Sequence, residues 1–215
     1  MHIYSLISQK GGAGKSTLAR QLAVLAGEAG AASVLIDRDP QGTTTKWWQR
    51  RQALVPAPER PDLLDLGATE LTAAVATLRR RKGGGAIFVD TRPAVAEPEA
   101  EAARVADLVI VPVRPSPDDL EAVGETLRIL RRLDQRAAVV VNAAKNEGRA
   151  RDARAALSRY PVPVCPAHVA DRAIYLDASL EGRGVGEMRG AAARDARAEL
   201  ATVWAWIQEI AHERA

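Results

Sequence analysis

Residues 5–20 read SLISQKGGAGKSTLAR. An apolar run over residues 3–7 gives way to Gly11-Gly12-Ala13-Gly14-Lys15-Ser16, and helical spacing follows over 16–29. A strand that ends in a glycine-rich turn and opens a helix is the setting in which this pattern forms a phosphate loop. Glycines admit a phosphate that a side chain would block. Free amides at the helix start, together with the helix dipole, favour the anion. In such a loop Lys15 lies along the β- and γ-phosphates, the Ser16 hydroxyl takes Mg²⁺ and Thr17 reaches the α-phosphate. A second lysine, Lys10, stands five residues before the first. One phosphate loop does not require it.

Outward from this stretch, short apolar runs alternate with helical ones. Runs rich in β-branched residues lie at 33–36, 86–89, 108–113, 137–141 and 162–165. Helical spacing occupies 43–53, 70–82, 97–105, 118–133, 149–159 and 191–212. Continuously apolar strands separated by helices predict an α/β, doubly wound fold whose mostly parallel sheet carries helices on both faces. Gly83-Gly84-Gly85 is read as the stop of the 70–82 helix. Pro115-Ser116-Pro117-Asp118 ends one strand and starts a helix. Three prolines in 54–61 mark a surface connection rather than a boundary, so one domain over 1–215 is expected.

Hydrophobic residues make up 47% and charged residues 27% of the chain, as in globular proteins. No run of eighteen apolar residues is present to span a membrane. The N-terminus enters a strand directly, without a basic leader, and Cys165 is the only cysteine. A reducing, cytoplasmic location is expected, and internal disulfides and CxxC metal sites are excluded. Net charge is only +3, but arginines cluster around 79–82, 128–132, 149–159 and 183–197. A basic face is therefore available without a strongly basic total. His2, His168 and His212 form no hydrolase constellation.

Acidic residues complete the pattern. Asp37 and Asp39 follow the 33–36 strand and Asp90 follows the 86–89 strand. Ligands bind outside the C-terminal ends of strands in open α/β sheets. Carboxylates suit Mg²⁺, a hard octahedral cation that keeps several of its waters.

With Lys10, the loop reads KGGAGKS, which resembles the deviant Walker A motif of the ParA/MinD ATPases. The resemblance implies that Lys15 serves its own nucleotide. It further implies that Lys10 crosses to the phosphates of a second chain, so that Mg²⁺-ATP would hold a homodimer together. Asp37-Arg38-Asp39-Pro40-Gln41-Gly42 resembles the family's DxDPQG segment. It implies that Asp39 positions the attacking water and that Asp37 supports the metal shell, while Asp90, in the Walker B position, holds the metal through water. Asn142, and the segment at Pro166, would lie against adenine. The chain has no NKxD guanine signature, which favours ATP.

The stretch from Val109 to Leu120 and the segment Asp171–Gly182 are similar to small plasmid-partition ATPases of the ParF type. That likeness implies non-specific DNA binding in the ATP state and slow hydrolysis stimulated by a small centromere-binding partner of the ParB/ParG kind. It also implies nucleoid association and plasmid or chromosome segregation. Arg154, Arg172, Arg194 and Arg197 are the candidate DNA contacts. The same switch could instead position a protein cluster or sit on membrane, as MinD does. No winged-helix segment precedes the loop, so operator autorepression is not expected.

Arg92 departs from the family pattern. It is a candidate for the γ-phosphate or the dimer seam, or else a solvated loop residue. Trp47-Trp48 with Lys46, Arg50 and Arg51 could form a binding surface, although at least one of these tryptophans should be buried. Leu200, Val203, Trp204, Ile207 and Ile210 recur at helical spacing. The near absence of Lys and Arg from 198–212 makes this stripe core rather than a membrane anchor.

Overall fold

The structure is a computed structural model that describes residues 1–66, 69–80, 84–94 and 96–213. The Arg81-Lys82 tip and Gly83, singled out above, lie outside the described residues.

Seven strands form one sheet in the order β3-β2-β4-β1-β5-β6-β7. They are β1 (His2–Leu6), β2 (Ser33–Asp37), β3 (Asp62–Leu63), β4 (Ala86–Asp90), β5 (Leu108–Val113), β6 (Ala137–Ala144) and β7 (Val164–Ala170). Every pairing is parallel, so the sheet is wholly rather than mostly parallel. The helices are α1 (Lys15–Glu28), α2 (Thr43–Gln52), α3 (Leu71–Arg79), α4 (Glu97–Val105), α5 (Pro117–Arg132), α6 (Glu147–Leu157), α7 (Ile174–Leu180) and α8 (Ala191–His212).

The chain winds from β1 toward β3, returns through β4, and then continues on the other side of β1 through β5 to β7. The loop leaving β1 therefore opens at the point where strand order reverses, where α/β sheets bind ligands.

β4 and β5 are buried along their whole length, as strands covered on both faces must be. One face packs Leu18, Leu22 and Phe88 with the α8 stripe Leu200, Val203, Trp204 and Ile207. Trp204 meets Tyr4 edge-on at 5.1 Å, so the stripe is core. The other face is divided between α5–α6 and α3–α4.

Local chemistry sets the helix starts. Ser116 caps α5, accepting from the Asp119 amide at 3.3 Å with Pro117 at the first position. Asn146 caps α6, accepting from the Arg149 amide at 2.9 Å. β7 runs beyond the expected 162–165 to Ala170 and carries Pro166. An edge strand with shifted register tolerates a residue that cannot donate.

Candidate nucleotide site

α1 begins at Gly14, whose left-handed φ of 94° turns the chain from loop into helix, and no side chain caps it. Its first-turn amides are thus left for an anion. Gly14 is also fixed by space, because a Cβ there would lie 2.0 Å from Asn142 Nδ2. That amide donates to the Ala13 carbonyl at 2.8 Å, so β6 holds the loop from behind.

Lys15 is buried and folds back over the loop, donating to the Ser8 carbonyl at 3.3 Å. Burial lowers its ammonium from the usual range, against the pull of Asp90, Asp39 and Glu99. Arg20, one turn on in α1, donates to the Ser16 carbonyl (2.9 Å) and to Ser179 of α7 (3.2 Å). Burial brings its guanidinium down to about 10.

The carboxylates lie where the strands end. Asp90 is fully buried; its Oδ2 accepts from the Thr44 hydroxyl at 2.7 Å and its Oδ1 has no partner. Burial pushes the carboxyl up to about 6, while the Thr44 and Ser16 hydroxyls work the other way. Asp37 ties down the start of α2: Oδ2 accepts from the Thr45 amide (2.8 Å) and hydroxyl (3.0 Å), and Oδ1 from the Asp39 amide (3.1 Å). Asp39 is half-buried and accepts from the Gln41 amide at 2.9 Å.

No group of three His, Cys, Asp or Glu side chains among the described residues forms a ready-made metal cage. Mg²⁺ seldom uses one, binding through one or two carboxylates, its own waters and substrate phosphates. The orphaned buried oxygen of Asp90 beside the Ser16 hydroxyl fits that demand.

The structure thus gathers Gly11–Thr17, Asp37, Asp39, Asp90 and Asn142 at one sheet edge. Pro166 is not brought to it. Val141 pairs with His168, so Pro166 stands two residues before the level of Val141, farther still from that of Asn142, and is exposed. Lys10 stands half-exposed on the rim, 3.6 Å from Asp118 and 4.0 Å from Asp119. Arg92 is paired through Nε with the buried Glu99 at 2.8 Å rather than loose in solvent.

The arginines proposed for DNA are largely engaged. Arg154 pairs with Glu147, Arg172 with Glu199, and Arg197 with Glu28 at 3.0 Å. Arg194 is exposed. The 46–51 cluster is mostly structural. Trp47 is wholly buried between Arg51 and Arg20, and Arg51 is buried on Glu187.

Sequence reading missed Thr44, Ser8 and Glu99. Thr44 stands two residues past the DPQG turn, and the other two act through folding alone.

A family model described as the CobQ/CobB/MinD/ParA nucleotide binding domain matches residues 4–185, and the chain belongs to this family. It is a nucleotide-binding ATPase domain of the ParA/MinD type. Over 214 residues it is 28% identical to the maintenance of carboxysome distribution protein A of Gloeobacter kilaueensis, covering 94% of this chain and 91% of that one. It is 32% identical over 151 residues to the chromosome-partitioning ATPase Soj of Thermus thermophilus, covering 59% and 60%. A putative plasmid partition protein from Borrelia burgdorferi, bound to AMPPNP, superposes with a TM-score of 0.74 at 16% identity, covering 97% and 99%. That likeness bears on the fold.

Proposed function

We propose that the chain is an Mg²⁺-ATP-driven dimerising switch that binds DNA through its phosphates in the ATP state and drives segregation of plasmid or chromosomal DNA. The observation that carries this reading is the unequal placement of the two loop lysines. Lys15 is buried over its own loop, whereas Lys10 is held on the rim by an ion pair with the exposed Asp118. Such surface pairs are worth roughly 0–1 kcal/mol. Lys10 is therefore free to leave for the triphosphate of a facing chain, whose charge offsets its burial at the interface.

Within each site the loop amides and Lys15 hold the phosphates. Ser16, with Asp90 and Asp37, would hold Mg²⁺, which supplies charge neutralisation on the β- and γ-phosphates when bound. Asp39, half-buried at the mouth, orients the attacking water and accepts its proton. Leu176 and Leu180 stand one turn apart and exposed on α7. Ser179 between them receives Arg20 from the first turns of α1. This pair supports a protein contact on α7 that responds to the nucleotide.

The test is light scattering of the full chain with AMPPNP and Mg²⁺, followed by binding to unrelated duplexes over a salt series. ATP-dependent dimers that Lys10→Ala abolishes, with DNA affinity falling steeply as salt rises, support the reading. A monomer with AMPPNP bound refutes it.

A second reading keeps the switch and changes the cargo to a cytoplasmic protein body, with its own small adaptor in place of a centromere-binding protein. Its support is coverage: the carboxysome-distribution relative matches along nearly its whole length, whereas Soj matches over 60% of its own. Stimulation of ATP hydrolysis by a DNA-binding adaptor or by a body-binding adaptor separates the two.

A further inference from the structure

Arg114 follows β5 directly, and β5 pairs with β1 so that Leu6 is level with Ile110. The chain leaving β5 therefore passes the loop that leaves β1. The guanidinium of Arg114 rests against Gly12: a Cβ at that glycine would lie 3.2 Å from Nη2 and 3.4 Å from Cζ and Nη1. Three partly exposed cations near this edge each have a carboxylate. Lys10 has Asp118, Arg92 has Glu99 and Arg38 has Glu101. Arg114 is exposed and has no acidic partner among the described residues.

We propose that Arg114 contacts the terminal phosphate of the nucleotide in its own chain and thereby sets the preference for triphosphate over diphosphate. The inference rests on the reading that this loop holds ATP. In that reading Thr17 takes the α-phosphate and Lys15 the β- and γ-phosphates, so the phosphate chain runs from the α1 start back toward Gly11 and Gly12. The γ-phosphate then arrives beside the guanidinium already lying on Gly12. An arginine offers this group a planar fork of donors that a lysine cannot reproduce. The diphosphate ends short of Arg114, so its affinity is independent of this side chain.

The experiment measures equilibrium binding of AMPPNP and of ADP, each with Mg²⁺, to wild type, Arg114→Ala, Arg114→Gln and Arg114→Lys in the full chain. The series is repeated in a Lys10→Ala background to remove pairing between chains. The expected result is about a tenfold loss of AMPPNP affinity in the Ala and Gln variants, the worth of one charge-assisted hydrogen bond. ADP affinity should stay within about twofold, Arg114→Lys should recover part of the loss, and the loss should persist without Lys10. A purely structural role would weaken both nucleotides together. An unchanged AMPPNP-to-ADP ratio overturns the proposal, as does a loss that vanishes in the Lys10→Ala background. A wild-type chain that binds neither nucleotide overturns the ATP reading itself.

Discussion

Two regions of this molecule bury charge, and they do so in opposite ways. Behind α2, Arg51 is almost wholly buried and nearly every donor is used: Glu187 at 2.6 and 2.7 Å, the Arg60 carbonyl at 2.6 and 3.0 Å, and the Gly182 carbonyl at 3.2 Å. A Cβ on Gly182 would lie 2.4 Å from the Arg51 amide, so the backbones are also closely fitted there. Behind the phosphate loop, Lys15 has a single carbonyl and Asp90 has one oxygen with nothing. Buried charge that is fully partnered holds a fold together, whereas buried charge left wanting is a cost that a ligand can offset. The difference separates structure from function without reference to any relative.

The largest expected effect falls on the partnered side. Arg51→Ala strips two carbonyls and Glu187 of the guanidinium, leaving Glu187 only the Gly184 amide at 2.7 Å, and should cost about 3–5 kcal/mol of stability. Chemical denaturation measures this, and nucleotide affinity of the folded fraction should not change. A loss below about 1 kcal/mol would erase the contrast between the regions, since surface substitutions alone cost that little.

Lys15→Ala should show the opposite signature. Losing charge-assisted hydrogen bonds to phosphate should weaken nucleotide binding roughly 100-fold. The denaturation midpoint should hold or rise, because the variant no longer buries a cation on one carbonyl. Isothermal titration and urea melts on the same samples test both halves.

Asp90→Asn sharpens the comparison through pH. The carboxyl titrates near 3.8 when unfolded and at about 6 when folded. Between those values the folded protein holds a proton that the unfolded chain has lost, so stability falls as pH rises from about 4 to about 6. The variant lacks this term and should exceed wild type by about 3 kcal/mol at pH 7, the two converging near pH 4. A constant offset across that range would mean that burial of the charge is not the cause.

The sequence makes the unpartnered region far more legible than the partnered one. The loop, its flanking strand and helix, and the strand-end aspartates are local patterns, since each needs only spacing along a few residues. Arg51 offers no such sign. In WWQRR it reads as part of a solvated basic cluster, and only Glu187, 136 residues away, shows otherwise. α7 escaped for a different reason: Leu176 and Leu180 face solvent, so its apolar residues mark no buried stripe. β3 is two residues long, too short for alternation to register. Arg114 was visible as a residue but not as a neighbour of Gly12, because the approach of β5 to the loop is set by strand order rather than by spacing.

The smallest effect tests the seam between the two kinds of region. Asn142 belongs to a packed strand yet donates to the loop at Ala13, and its Nδ2 occupies the space a Gly14 side chain would need. Asn142→Ala should cost about 1 kcal/mol in stability, one buried hydrogen bond, and should loosen the loop enough to weaken nucleotide binding severalfold. Gly14→Ala suffers twice, from the collision and from its φ of 94°. In the double variant the collision is gone and the backbone strain remains, so the double should be more stable than the two single costs added together. Simple additivity in denaturation would show that strain alone fixes Gly14. The loop would then keep its shape without help from β6.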